Sequence, residues 1–239
     1  MSFSDFFNQI GLNQHPISYR ERLISMTGGF LGILGILLAS RWLLEPEVAV
    51  VIAPSMGATA VLLFAAPHAT FSQPWNVIIG HTVSAIVGVS CWMWIPDLTI
   101  AASVSLALAI GIMLITRSVH PPGGATALAA VIGAENIHDL GYSYVFHPIL
   151  FNVLSIAVIA VLFNNLFHWR RYPAHLNNKH SDIRSAREPI SHEDFVVALA
   201  HIETMVDIDE ADLLKIYNLA TKRQLTEYVS YAASERNQA

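Results

Sequence analysis

The chain is organised around Arg117-Ser118-Val119-His120-Pro121-Pro122-Gly123-Gly124-Ala125-Thr126-Ala127-Leu128, which lies between two strongly apolar runs. Proline removes a backbone N–H and clashes with the preceding turn, and glycine costs about 1 kcal/mol relative to alanine inside a helix. The residue before a proline favours extended backbone, so we expect His120 to lie outside any helix. A helix is expected to restart at about Gly124, with free N–H donors and positive dipole character at its N-terminus. In a membrane protein, this arrangement is typical of a binding site, especially for an anion.

A second copy of this pattern occurs earlier in the chain. The segment Pro54-Ser55-Met56-Gly57-Ala58-Thr59-Ala60-Val61 aligns with Pro121–Leu128, and five of the eight positions are identical (Pro, Gly, Ala, Thr and Ala). Each copy follows one long apolar run and precedes another. Chance similarity competes with this interpretation, because small residues are common in membrane helices. We favour a true internal repeat, with halves at about 23–95 and 98–169.

The composition is that of a membrane protein. Hydrophobic residues make up 54% of the 239 residues and charged residues only 13%, whereas a soluble domain has about 25% charged residues. Between Val48 and Ala134 the only Asp, Glu, Lys or Arg residues are Asp97 and Arg117. The net charge of −5 argues against nucleic acid as a partner, and the lone Cys91 cannot form a disulfide within the chain.

The apolar runs predict an all-α fold, a polytopic membrane helix bundle with two broken or re-entrant helices in an inverted internal repeat. Six spans result if both broken elements cross the bilayer, and four result if both re-enter. The sorting of charges favours six spans. The positive-inside rule, applied to Arg20, Arg22, Arg170 and Arg171, places both termini in the cytoplasm of a multi-pass protein of the cytoplasmic (inner) membrane.

The chain divides into four parts by composition. These are an N-terminal cytoplasmic segment (1–22), a transmembrane domain (23–172), a polar linker (173–190) and a small soluble helical tail in the cytoplasm (191–239).

Polar residues inside the apolar runs are the candidates for a binding site. His120 is either a ligand donor or titrating group at the break, or a loop histidine that bonds to a backbone carbonyl. Arg117 is either a functional cation or a snorkelling anchor, and Thr59 and Thr126 either share a ligand or bond to their own backbone. The predicted substrate-binding residues are His120, Pro121, Pro122, Gly123, Gly124, Thr126, Arg117, Ser55, Gly57, Thr59 and His81.

We predict no enzymatic activity, cofactor or metal. The eleven histidines do not show the Cys/His spacing of a structural zinc site. The chain has no glycine-rich phosphate loop with lysine and no convincing Ser/His/Asp arrangement. The apolar runs also contain no interior carboxylate, which a cation pathway would normally need. Helix N-termini, hydroxyl groups, Arg117 and His120 therefore favour a small anion or a neutral polar solute.

This pattern resembles the HPP family of integral membrane proteins, named for the His-Pro-Pro triplet found here at 120–122. The resemblance covers about 20–173 and also includes the motifs at Pro54–His68, Gln73–His81, Thr116–Leu128, Phe163–Leu166 and Arg170–Pro173. Members in plastids and cyanobacteria have been associated with nitrite transport, and the family is usually described with four membrane helices.

The resemblance implies a transporter or channel for a small inorganic anion such as nitrite. The alternative is a non-transporting membrane sensor or scaffold that acts through residues 191–239. Besides the lipid bilayer and the anion, a homodimer is compatible with the glycine-rich first helix and the tail.

Overall fold

The computed structural model describes residues 17–40 and 46–177. Within these ranges there is no β-strand, so the all-α prediction is confirmed. A kinked segment at Val145–Leu150, in which His147 has extended backbone (φ −143°, ψ 90°) before Pro148, leads into the last long helix. Short 3-10 turns occur at Thr70–Ser72 and Ala174–Asn177. The predicted tail, 191–239, lies outside the described residues. The α-helices are α1 (Tyr19–Ser40), α2 (Pro46–Ala65), α3 (Pro74–Trp94), α4 (Leu98–Ile115), α5 (Pro121–Ile132), α6 (Glu135–His138) and α7 (Phe151–Asn164).

Four helical stretches in the described part are long and apolar enough to cross a membrane: Tyr19–Ser40, Pro74–Trp94, Leu98–Ile115 and Val145–Asn164. Helix α5 has 12 residues, a length of about 18 Å at 1.5 Å per residue. It is too short to cross a hydrocarbon core about 30 Å thick. Helix α2, by contrast, has 20 residues, enough to cross the hydrocarbon core. The lengths therefore favour neither the four-span nor the six-span alternative, and the number of spans stays a prediction.

The long helices expose large apolar side chains. Phe30 on α1, Ile115 on α4 and Leu162 on α7 are 65%, 83% and 67% exposed. Exposed apolar surface on this scale marks an interaction with lipid or protein, and its position on span-length helices fits a lipid-facing surface.

Both proline-containing elements differ from the prediction. Helix α2 continues through Pro54 without a break, a feature that membrane helices tolerate when the freed backbone groups find other partners. Helix α5 begins at Pro121 rather than at Gly124, because proline suits the first helical position, where its missing N–H would be unpaired anyway. His120 is extended (φ −139°, ψ 102°) and precedes the helix, as predicted.

Helix α3 lies at the centre of the bundle. It packs against α4, α5, α7 and the kinked segment Val145–Leu150, while α2 packs against α1, α5 and α7. Helix α5 packs against both α2 and α3, so the two proline-containing helices, α2 and α5, meet beside α3. The candidate site lies where these three helices meet.

An ion pair between Arg170 and Glu21 is buried in the described part of the chain. Arg170 also donates to the Phe64 carbonyl (2.5 Å) and to the side-chain oxygen of Asn164 (3.0 and 3.2 Å). Trp169 donates its indole N–H to the other carboxylate oxygen of Glu21 (3.2 Å). The pair therefore joins the start of α1, the end of α2 and the segment that follows α7.

The ion pair weakens the positive-inside argument for the orientation of the chain in the membrane. The positive-inside argument counts both Arg170 and Arg171 as cytoplasmic charges. Arg170 is instead fully buried against Glu21, whereas Arg171 is exposed. Because its charge is compensated within the bundle, Arg170 adds little to the orientation signal. The placement of both termini in the cytoplasm stays a prediction.

Candidate functional site

The connection between α4 and α5 carries His120 and is held in place by hydrogen bonds. The Ser118 N–H donates to the Met113 carbonyl (2.8 Å), and the Asn76 side chain donates to the Val119 carbonyl (2.9 Å). Backbone that leaves a helix inside a protein needs such replacement partners. These bonds tie the connection to the end of α4 and to the start of α3.

Two glycines allow the connection and α5 to approach α3 closely. A Cβ on Gly80 would lie 2.7 Å from the His120 Cβ and 2.8 Å from the Ser118 carbonyl oxygen. A Cβ on Gly123 would lie 2.9 Å from both the Gly80 carbonyl oxygen and Ser84 Oγ. Only a residue without a side chain fits at these distances.

Four side chains form a hydrogen-bonded group where α2, α3 and α5 meet. Thr59 Oγ1 lies 2.8 Å from His81 Nε2 and 3.1 Å from His120 Nε2, and His81 Nδ1 lies 2.7 Å from Thr126 Oγ1. The two imidazole centroids are 4.8 Å apart. Each of the four residues is 0% exposed. We call Thr59, His81, His120 and Thr126 the His–Thr cluster.

The two threonines occupy the same position in the two sequence copies. Thr59 Oγ1 lies 2.9 Å from the Ser55 carbonyl oxygen and Thr126 Oγ1 lies 3.4 Å from the Pro122 carbonyl oxygen, one turn earlier in each case. Both threonines also contact His81, on opposite ring nitrogens. Each hydroxyl carries one proton and donates either to its own backbone carbonyl or to an imidazole nitrogen. Both alternatives weighed from the sequence therefore have a partner within reach. The internal repeat stays a prediction, with which this arrangement agrees.

The Phe71 carbonyl sets the direction of these hydrogen bonds when both histidines are neutral. A carbonyl only accepts, so His120 Nδ1, which is 2.7 Å from Phe71 O, must carry a proton. His120 Nε2 is then an acceptor for the Thr59 hydroxyl. Thr59 Oγ1 in turn accepts from His81 Nε2–H, which leaves His81 Nδ1 to accept from Thr126. This single order satisfies every ring nitrogen in the cluster.

The cluster carries no fixed charge. Among the described residues, no hydrogen bond or ion pair joins a carboxylate, lysine or arginine to either ring. Tyr144 is the other ionisable neighbour, and its hydroxyl donates to the Thr126 carbonyl (3.2 Å).

The remaining predicted residues lie around the cluster or outside it. Arg117 is exposed, has a left-handed backbone (φ 52°) and makes none of the hydrogen bonds of the cluster, which fits the snorkelling alternative. A Cβ on Gly57 would meet nothing within 4 Å. Pro121 is exposed, and the other predicted residues are buried beside the cluster: Ser55, Pro122, Gly123 and Gly124.

The first turn of α5 does not present the predicted row of free N–H donors. Pro121 and Pro122 have no N–H, and the Gly123 N–H donates to the His120 carbonyl (2.8 Å). Helix α2 does not begin at Pro54. Anion binding at two helix N-termini therefore does not fit this structure, and the side chains of the His–Thr cluster form the polar centre instead.

Sequence reasoning missed Ser84. This fully buried residue lies one turn beyond His81 on α3, and its Oγ has no hydrogen-bond partner among the described residues. A buried hydroxyl without a partner is unusual and is available to a small ligand or a water molecule. The signal in the sequence is its i+3 spacing from His81, which places both residues on one helix face.

Gly80→Ala should disrupt the candidate site. The added Cβ would press against the His120 Cβ and a backbone carbonyl, and overpacking of this kind costs about 1–3 kcal/mol. We expect His120 to be displaced and the unfolding temperature to fall. Gly57→Ala is the matched control, because its Cβ enters open space. Thermal unfolding in detergent checks both variants, and equal stability of the two would contradict the close approach described above.

Comparison with known proteins places the chain in a family. The family model described as "HPP, transmembrane region" matches residues 14–173. Two transmembrane proteins of Dictyostelium discoideum are similar to it. One is 38% identical over 154 residues (62% of this chain, 49% of the relative), and the other 38% over 149 residues (60% and 52%).

The chain spans about half the length of these curated relatives, and no solved structure matches it. The family match covers well over half of the chain and contains the four long apolar helices named above, together with the interrupted segment at 116–120. The chain belongs to the HPP transmembrane family.

Proposed function

We propose that this membrane protein carries a small inorganic anion, similar to nitrite, across the bilayer and binds it at the His–Thr cluster. The observation that carries the proposal is the complete burial of two histidines and two threonines in one connected group. Polar and ionisable groups inside a membrane bundle are costly and commonly mark a substrate path. The resemblance to family members associated with nitrite transport supports the same class of solute.

The chemistry of the cluster suits an anion better than a cation. Its polar atoms are hydroxyl and imidazole groups, and no carboxylate of the described residues bonds to it. Cation pathways use carboxylates or rings of carbonyls. The Ser84 hydroxyl adds an unpaired donor next to His81 on α3. An anion bound beside the cluster can accept one hydrogen bond from the Ser84 hydroxyl and one from a hydroxyl of the cluster.

The site also suits a small solute. Gly80, Gly123 and Ser84 are in close contact across α3 and α5, at the distances given above. A larger ligand would have to separate these helices, at the expense of well-packed contacts. Triatomic and tetra-atomic anions and halides therefore define the range to test.

Uptake into liposomes that contain the purified protein tests the proposal. Uptake of nitrite, nitrate, formate and chloride is compared with uptake into protein-free liposomes, because the conjugate acids of nitrite and formate cross lipid unaided. We expect protein-dependent uptake of at least one of these anions. Thr126→Val should lower it by about tenfold, since loss of a buried hydrogen-bond partner costs about 1–3 kcal/mol and 1.4 kcal/mol corresponds to tenfold.

Thr82→Val is the matched control, because the Thr82 hydroxyl bonds to the Ile78 carbonyl of its own helix (2.7 Å) and not to the cluster. Equal loss in both variants would contradict the site. No uptake of any anion by folded protein would contradict transport and favour a sensor or scaffold that acts through 191–239.

A further inference from the structure

We propose that the His–Thr cluster takes up one proton with each monovalent anion, so that the two cross the bilayer as an electroneutral pair. This inference rests on the proposed function and adds a second transported species, the proton, to it. Three features of the cluster support it: the absence of a counter-charge, the order of the hydrogen bonds and the distance between the two imidazole rings.

A bound anion would find no fixed positive charge in the cluster. Helix α2 contributes Thr59 and α5 contributes Thr126, neither of which ionises. The segment before α7 contributes Tyr144, which donates to the Thr126 carbonyl. Arg117, on the connection that carries His120, is exposed. An unpaired charge inside a membrane bundle is strongly disfavoured, and a proton on an imidazole ring supplies the missing charge.

The hydrogen-bond network can accept such a proton at His120 without losing a bond. His120 Nε2–H would donate to Thr59 Oγ1, 3.1 Å away, and the Thr59 hydroxyl would turn to the Ser55 carbonyl, 2.9 Å away. His81 Nε2–H would continue to donate to Thr59 Oγ1, which has two lone pairs. His120 Nδ1–H keeps its bond to Phe71. Protonation therefore requires the rotation of one hydroxyl group.

The geometry favours one proton over two. The imidazole centroids are 4.8 Å apart, and two positive rings at this distance would repel each other strongly in a site of low polarity. The proton comes from water on the side of uptake, forms an N–H bond on an imidazole nitrogen and returns to water on the other side. The anion remains chemically unchanged, so one proton accompanies one monoanion.

Proton and anion should also increase each other's affinity. Each neutralises the charge of the other in the same buried space, and this thermodynamic coupling is reciprocal by necessity. The neutral rings would then bind neither species well alone. Such coupling prevents a leak of protons when the anion is absent.

The test uses the full-length protein in liposomes that contain a pH-sensitive dye, with inward gradients of nitrite, nitrate and chloride. Nitrate and chloride are anions of strong acids, so their proton movement does not come from diffusion of the free acid. We expect the interior to acidify by one proton per anion transported. The rate should stay unchanged when potassium and valinomycin impose different membrane potentials.

Thr59→Val should lower both anion uptake and acidification by at least about tenfold, because it removes the hydroxyl that contacts both imidazole rings. A tenfold change lies within the usual range of coupling between two bound species. Thr59→Ser restores a hydroxyl and should recover much of both. Anion uptake that follows the imposed potential without acidification would overturn the proton proposal and leave anion transport standing. Absence of any anion uptake by folded protein would overturn both.

Discussion

Arg170→Met should destabilise the bundle more than any other single substitution considered for this protein. The change leaves the Glu21 carboxylate buried without its cationic partner, and it also removes the donors to the Phe64 carbonyl and to Asn164. Removal of one partner from a buried ion pair typically costs about 3–5 kcal/mol. We expect a large decrease in the unfolding temperature of the detergent-solubilised protein.

Two further variants isolate the cause of this effect. Arg171→Met removes the neighbouring arginine, which is exposed, and should leave stability nearly unchanged. The double variant Glu21→Gln/Arg170→Met should recover part of the loss, because no unpaired charge remains. If Arg170→Met and Arg171→Met unfolded at the same temperature, the buried pair would not hold α1, α2 and the segment after α7 together.

His81→Leu should nearly abolish transport while it affects stability little. The substitution removes the partner of both threonines, which is two hydrogen bonds, and at about 1–1.5 kcal/mol each this predicts a loss of roughly 100-fold. Thr59 and Thr126 can still bond to the Ser55 and Pro122 carbonyls. The fold should therefore tolerate the change, and uptake into liposomes measures the effect on transport.

The matched control for this variant is His175→Leu, because His175 is exposed and lies outside the spans. It should transport at the wild-type rate. Wild-type uptake by a folded His81→Leu protein would remove the cluster from the transport path. A variant that unfolds at a much lower temperature would instead indicate that the cluster serves stability.

Local sequence rules predicted those parts of the fold that depend on neighbouring residues. The apolar runs gave the long helices, and the residue before a proline correctly placed His120 in extended backbone. Proline misled the prediction twice. It was taken to break α2 at Pro54, where the helix continues, and to delay α5 beyond Pro121, where the helix begins. In both cases helix position and packing outweigh the intrinsic cost of proline.

The site was predicted only in part, because its contacts join residues that are far apart in the chain. His120, Thr59, Thr126 and His81 were chosen as polar residues within apolar runs, and the structure brings all four together. Arg117 was chosen for its charge and lies exposed outside the cluster.

Other partners left no local signal in the sequence. The Phe71 carbonyl, which orders the hydrogen bonds, is 49 residues from His120, and Glu21 is 149 residues from Arg170. Periodicity reports which face of a helix is buried and does not report which faces meet. The pairing of these residues therefore required the three-dimensional structure.

The claim that the His–Thr cluster binds a small anion is tested most directly by ¹⁵N NMR of the histidine-labelled protein. Ring-nitrogen shifts report which nitrogen carries the proton, and His81→Leu and His120→Gln assign the two signals. Without anion, we expect neutral rings protonated at Nε2 in His81 and at Nδ1 in His120. Addition of the transported anion should shift both signals and leave that of exposed His175 unchanged. If the anion leaves the signals of both cluster histidines unmoved at concentrations that saturate uptake, the claim is wrong.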